Sequence, residues 1–249
     1  MLISLFYLLL NFYWLFLFFS KIISYQFNQL IRKFYFLTGV LMNQELMDEM
    51  NGEIQLLIKS GFYGDDEILE IISDEFIEEN ISDDEISKLF LENRENMGET
   101  NEDSEDFINL RNAFLDLTKE NIISIHNAGY DIEEGIQDSF ELFTHLRNNK
   151  YSPIGFCFYT FEDIEYVIEE KTLRIAFGDF EYDEEKGLKI AQKVAETLKN
   201  NGFDINWNDS IDELIEIQNF NWLKRFDNKE YSMDGALEDF LRLHSEENE

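Results

Sequence analysis

The sequence predicts an α+β protein: a mixed β-sheet with packed helices, preceded by a small acidic helical lobe. Three observations predict it. Apolar residues recur at helical spacing through residues 44–100. From residue 121 short apolar runs alternate with amphipathic stretches in the order β-α-β-α-β-α-β-β. A polar linker at 92–105, ENRENMGETNEDSE, separates the two. The expected organisation is an apolar segment at 1–41, an acidic helical lobe and linker at 42–104, an α+β domain at 105–226 and an acidic tail at 227–249.

Each element has a local reason. Leu46, Met50, Ile54, Leu57 and Ile58 share one helical face, which ends at Ser60-Gly61. Asp65-Asp66-Glu67 opens a second helix with Ile68, Ile71, Ile72 and Phe76 on one side, since acids in a first turn complement the helix dipole. Ser82-x-x-Glu85 is a capping box before Ile86, Leu89 and Phe90. Phe107, Leu110, Phe114, Leu115 and Leu117 mark a fourth helix. Ile122 to Ile125 is a strand, Asn127-Ala128-Gly129-Tyr130 turns away from it, and 133–148 is helical. The run Ile154 to Tyr159 is apolar on both faces and so belongs inside a sheet. Thr160-x-x-Asp163 caps a helix at 161–170, and Leu173 to Gly178 is the next strand. Leu188, Ala191, Val194, Ala195 and Leu198 form the stripe of helix 184–200, which stops at Gly202. Phe203 to Trp207 alternates as a half-buried strand, and Leu214 to Ile217 is another. The residues after 226 read as a loose tail with one amphipathic turn at Leu237, Phe240 and Leu241.

Charge excludes several functions. The chain has 20 Lys+Arg against 53 Asp+Glu, a net charge of −33. All the acids follow residue 44, so residues 42–249 carry −36. No basic surface of the size that nucleic acid requires is available. One cysteine rules out a disulfide framework and any Cys-based zinc site. Hydrophobic content of 44% is too high for a disordered acidic segment. Such charge makes the fold salt-sensitive and steers basic partners.

Residues 2–19, LISLFYLLLNFYWLFLFF, have the length and apolarity of a membrane anchor. Lys21, Arg32 and Lys33 would then hold the rest on the cytoplasmic side. The preferred reading is that translation starts at Met42. Thr38-Gly39-Val40-Leu41 can be encoded as ACA-GGA-GTA-TTA, which contains the ribosome-binding sequence AGGAG, and acids are dense only after Met42. The expectation is a cytoplasmic protein without membrane contact.

An ordered series of motifs carries a family resemblance. It runs through Ala113-Phe114 to Ile122, Asn127-Ala128-Gly129-Tyr130 and Gly155-x-x-Phe158-Tyr159-x-x-x-Asp163. It continues through Leu173-x-x-Ala176-Phe177-Gly178, Gly202-x-x-x-x-Trp207, Ile215-x-Ile217 and Trp222-x-x-Arg225. Residues 105–226 thereby resemble a bacterial domain family of unknown function. The resemblance implies a shared fold and no established activity. Relatives carry cysteines near the Asn-Ala-Gly-Tyr turn and a histidine before the aspartate, where this chain has Ile132 to Gly135 and Thr160 to Glu162. The resemblance therefore brings no metal or thiol chemistry with it.

Three groups of residues are candidate sites. His126, Tyr130 and Asp131 sit at a strand exit, either as a binding turn or as a turn that Gly129 permits. Tyr159 and Asp163 are an acid–base pair or the residues around a helix cap. Trp207, Trp222 and Arg225 make an aromatic–guanidinium surface or core packing with one stacked arginine. Cys157, between two phenylalanines, reads as an inert thiol. Asp179-x-Glu181-x-Asp183 begins like a calcium loop, but Glu184 and Ile190 stand where that loop needs Gly and Glu. No metal site and no cofactor are expected, and phosphate-loop, nucleophile-elbow and zinc-protease signatures are absent. The functional expectation is a soluble binding or inhibitory module for a basic protein partner. The alternatives are an enzyme using the 126–131 turn with Tyr159 and Asp163, and a membrane-anchored cytosolic domain.

Overall fold

Caps and apolar stripes set the helix boundaries. A computed structural model describes residues 44–79, 81–98 and 101–245. The expectations for residues 2–19 and for a start at Met42 lie outside the described residues. The chain divides into two compact units, Met1–Gly52 and Glu53–Glu249. Of the first, residues 44–52 are described and are helical. The second holds the sheet and the helices around it.

The elements of this second unit, in order, are α1 (helical through residue 60), α2 (Asp65–Glu75), a 3₁₀ turn (Ile77–Glu79), α3 (Asp83–Met97), α4 (Glu105–Lys119), β1 (Ile122–Ile125), α5 (Ile132–Asn148), β2 (Gly155–Phe158), α6 (Phe161–Glu170), β3 (Leu173–Gly178), α7 (Glu184–Asn200), β4 (Ile205–Asn206), β5 (Ile215–Ile217) and α8 (Met233–Ser245). Both expected capping boxes form. Ser82 N donates to Glu85 at 3.1 Å while Glu85 N donates back to Ser82 Oγ. Thr160 N donates to Asp163 Oδ2 at 3.0 Å, and Asp163 N donates back to Thr160 Oγ1.

The five strands make one mixed sheet in the order β1-β2-β3-β5-β4. β1 and β2 are parallel; the other pairs are antiparallel. Ile123 lies beside Phe156, Cys157 beside Phe177 and Arg174 beside Glu216. β2 is interior, as its two apolar faces require. Side chains alternate across the sheet. Ile123, Ile125, Phe156 and Phe158 face Leu142 and Leu146 of α5 and Phe240 of α8. Gly155 faces the other way, where a Cβ would strike Ile190 of α7, so the close approach of that helix demands glycine. α4 packs on β1 and on α7, which lies against β2 and β3.

Two expectations are corrected. Over 233–245 the tail is helix α8, not a loose segment. Phe240 is 1% exposed and completes the core beneath β1. One buried aromatic in a polar stretch reads as an isolated turn in sequence but anchors a whole helix once a sheet face stands ready. The strand expected at Phe203 to Trp207 shrinks to Ile205–Asn206. Phe203 turns aside to stack on Phe220, and the Trp207 indole donates to Ser210 O and Glu213 O, which ends the ladder. Among the described residues no helix is long and apolar enough to cross a membrane.

Candidate functional site

Two of the candidate carboxylates serve the backbone. Asp131 is the N-cap of α5, and its Oδ1 accepts from Glu133 N at 2.9 Å and Glu134 N at 3.0 Å. Asp163 caps α6, and its other oxygen lies 2.7 Å from Arg174 Nε in an ion pair with β3. The Arg174 guanidinium in turn covers the Tyr166 ring at 4.4 Å. Tyr130 is 55% exposed and stacks on Phe161. It does not join His126.

His126 and Tyr159 do meet. Both are buried, and His126 Nδ1 and the Tyr159 hydroxyl are hydrogen-bonded at 3.0 Å. The imidazole stacks on Phe114 with centroids 4.4 Å apart. Burial, then the nearby Lys224 and Arg111 cations, lowers its pKa to about 3, so the ring is neutral at physiological pH. Burial also raises the Tyr159 hydroxyl well above its ordinary value. Tyr159 and Asp163 thus serve different partners.

Trp222 extends this aromatic core. Its ring lies 5.7 Å from Phe107, 5.9 Å from Tyr159 and 6.1 Å from Phe62, and its indole donates to Lys59 O at 3.2 Å. Trp207 packs elsewhere, edge-on to Phe177. The Arg225 side chain is exposed, while its backbone N–H donates to Asp103. The three do not form one surface.

The residue that sequence reasoning missed is Lys224. Its side chain is 1% exposed. The ammonium donates to Gly61 O at 2.9 Å and Arg225 O at 3.2 Å and lies 3.6 Å from Asp227. The rings of Tyr231 and Phe62 box it at 4.2 and 4.7 Å. Burial outweighs the Asp227 and Asp103 carboxylates and lowers its pKa to about 8. Gly61 has φ +74°, and any Cβ there would collide with Lys224 O, so glycine is obligatory. Tyr231 donates to Asp227 at 2.9 Å, and burial raises its hydroxyl to about 12. Burial alternates from Phe220, Trp222 and Lys224 to exposed Asn221, Leu223 and Arg225, but with apolar Leu223 outside and charged Lys224 inside the residue types carry no such period, so the sequence held no local signal for Lys224.

Cys157 is buried, and burial pushes its thiol up to about 12. Asp179 accepts from Glu181 N and Asp183 N and so shapes the turn before α7. Among the described residues no group of three or more His, Cys, Asp or Glu is placed to hold a metal ion.

Two clefts border this core. The larger, about 970 Å³, runs past Lys59, Arg94, Lys171, Trp222 and Arg225. The smaller, about 560 Å³, lies between the α1–α2 turn, the Asn127–Gly129 turn and the segment 226–232.

No curated protein and no solved structure matches this chain. One protein family does, over residues 43–226. The match reaches upstream of the 105–226 region that carries the motifs and takes in α1 to α3. The Lys224 bonds give that extent a physical basis, because the last matched segment is tied to the α1–α2 turn. The chain belongs to the DUF6891 family, a domain of unknown function.

Proposed function

We propose that this protein is a soluble, non-catalytic binding module that captures a basic protein partner through α2, the 3₁₀ turn and α3. One observation carries the reading. Residues 65–97 expose thirteen carboxylates against two cations, Lys88 and Arg94. Lys88 is paired with Glu92 and Arg94 with Asp65, so neither offsets the remaining field. Ile77, 72% exposed, stands amid Glu75, Glu78 and Glu79 as an apolar contact point inside the acidic face. A ring of like charge around an apolar contact steers a complementary partner and then holds it. The catalytic alternative is less well supported, since Asp131 and Asp163 act as caps and His126 is neutral and enclosed.

The test is capture of basic proteins from host lysate with Glu70→Lys, Asp74→Lys and Glu79→Lys combined. The wild type is expected to retain a basic protein at about 50 mM salt and release it by about 300 mM. The triple variant is expected to lose it at both. Retention of no basic protein at low salt, or equal retention by the variant, sinks the reading.

A further inference from the structure

The smaller cleft has a chemistry distinct from the acidic face. Its lining comes from three segments: Phe62, Tyr63 and Glu67; Asn127 and Gly129; and Phe226 with Asn228–Ser232. The donors and acceptors there are unevenly committed. Asn127 donates to the Tyr63 hydroxyl at 3.2 Å, but its side-chain oxygen is buried and has no partner. Asn127 also has φ +54°, in the left-handed region that asparagine tolerates better than most residues. A buried acceptor without a donor costs free energy until a ligand supplies one.

Two carboxylates face the same place. Glu67 uses one oxygen to cap α2 through Gly64 N. Glu230 uses Oε1 for Tyr231 N, Ser232 N and Ser232 Oγ. Burial raises the Tyr63 hydroxyl; the Asn127 bond opposes this, and the Glu67 and Glu230 charges add to it, so both carboxylates are felt at that hydroxyl. Lys229 also lines the cleft, its side chain 67% exposed, and it shares Asp227 with Lys224, so the lining carboxylates Glu67 and Glu230 outnumber the one lining cation. Tyr63, Phe226 and Tyr231 supply aromatic walls. An unpaired amide oxygen, two carboxylates and aromatic rings are the recognition set for an organic cation with N–H donors.

We propose that this cleft receives a lysine or arginine side chain of the basic protein partner, which makes it the specific pocket beside a non-specific acidic face. The inference rests on the proposed function and adds to it the group that is recognised.

The probes are N-acetyl-lysine methylamide and N-acetyl-arginine methylamide, with N-acetyl-glutamine methylamide as the uncharged control. The readout is saturable shifts of the Asn127, Gly129 and Ser232 amide signals in the NMR spectrum of the intact chain. Both charged probes are expected to bind and the control not to. Glu67→Gln, which keeps the helix cap, is expected to weaken binding about threefold to fivefold. Asn127→Asp, which tolerates the same backbone, is expected to strengthen it by a similar factor. The triple variant Glu70→Lys, Asp74→Lys and Glu79→Lys, whose substitutions lie outside the cleft, is expected to bind the probes as the wild type does. Absence of shifts in the cleft, equal response to the control, or unchanged affinity in both cleft variants overturns the assignment. Tighter binding of the free diamine putrescine than of either residue probe overturns it too, in favour of a small-molecule amine. Probe failure with salt-sensitive capture intact removes the pocket alone; loss of capture with probe binding intact removes the acidic face alone.

Discussion

The α2–α3 hairpin and the segment Phe220–Tyr231 are both rich in charge and use it in opposite ways. The hairpin leaves its carboxylates exposed to water, where surface charge contributes little to the fold beyond the Glu67 and Glu85 caps and the Asp65–Arg94 pair. The segment takes one ammonium inside and satisfies it with two carbonyls, a carboxylate and aromatic faces. That buried cation joins positions 163 residues apart in the sequence. Exterior charge is thus replaceable and free to serve recognition. The interior charge fixes geometry, because losing one partner strands the others away from water.

The contrast is tested most severely by changes on the interior side. Phe240→Ala, which empties a fully buried ring site under β1, is expected to cost about 3–5 kcal/mol in urea unfolding. Lys224→Met is expected to cost about 3 kcal/mol, since Gly61 O and Asp227 lose their donor. It also carries a pH signature. The folded pKa is lowered to about 8, below the unfolded value, so between about pH 8 and 10 the unfolded chain holds the proton that the folded chain releases. Wild-type stability should therefore rise with pH across that window, and the rise should vanish in Lys224→Met. Asp163→Ala removes a cap and an ion-pair partner and is expected to cost about 1–2 kcal/mol by the same measurement. Smallest is the combined Glu70→Lys, Asp74→Lys and Glu79→Lys variant, within about 0.5 kcal/mol of the wild type per site. Its unfolding midpoint should also depend less on added salt, as self-repulsion falls.

Local signals were legible wherever a local interaction decides the structure. The Ser82 and Thr160 boxes, the alternation of strands and helices from Ile122 to Ile217, and the interior placement of β2 all follow from residues close in sequence. What stayed hidden depends on distant partners. α8 is fixed by a sheet face built a hundred residues earlier, so Phe240 alone could not announce it. Lys224 looks like another surface cation until the carbonyl of Gly61 is known to lie above it. The candidate site divides in the same way. Asp163 was readable as part of a cap, whereas the capping role of Asp131, the joining of His126 to Tyr159, and the gathering of Tyr63, Asn127 and Glu230 around one cleft needed the fold.

Cys157 lets the molecule keep a record of its own openings. It is the one cysteine of the chain, enclosed between Phe156 and Phe158 in an interior strand, with a thiol that burial holds protonated. A folded copy passes through oxidant or alkylating reagent unmarked. A copy whose sheet opens, even briefly, exposes the sulfur and is tagged for good. The tagged fraction therefore counts past openings, and this single atom serves as a clock for how often the sheet comes apart.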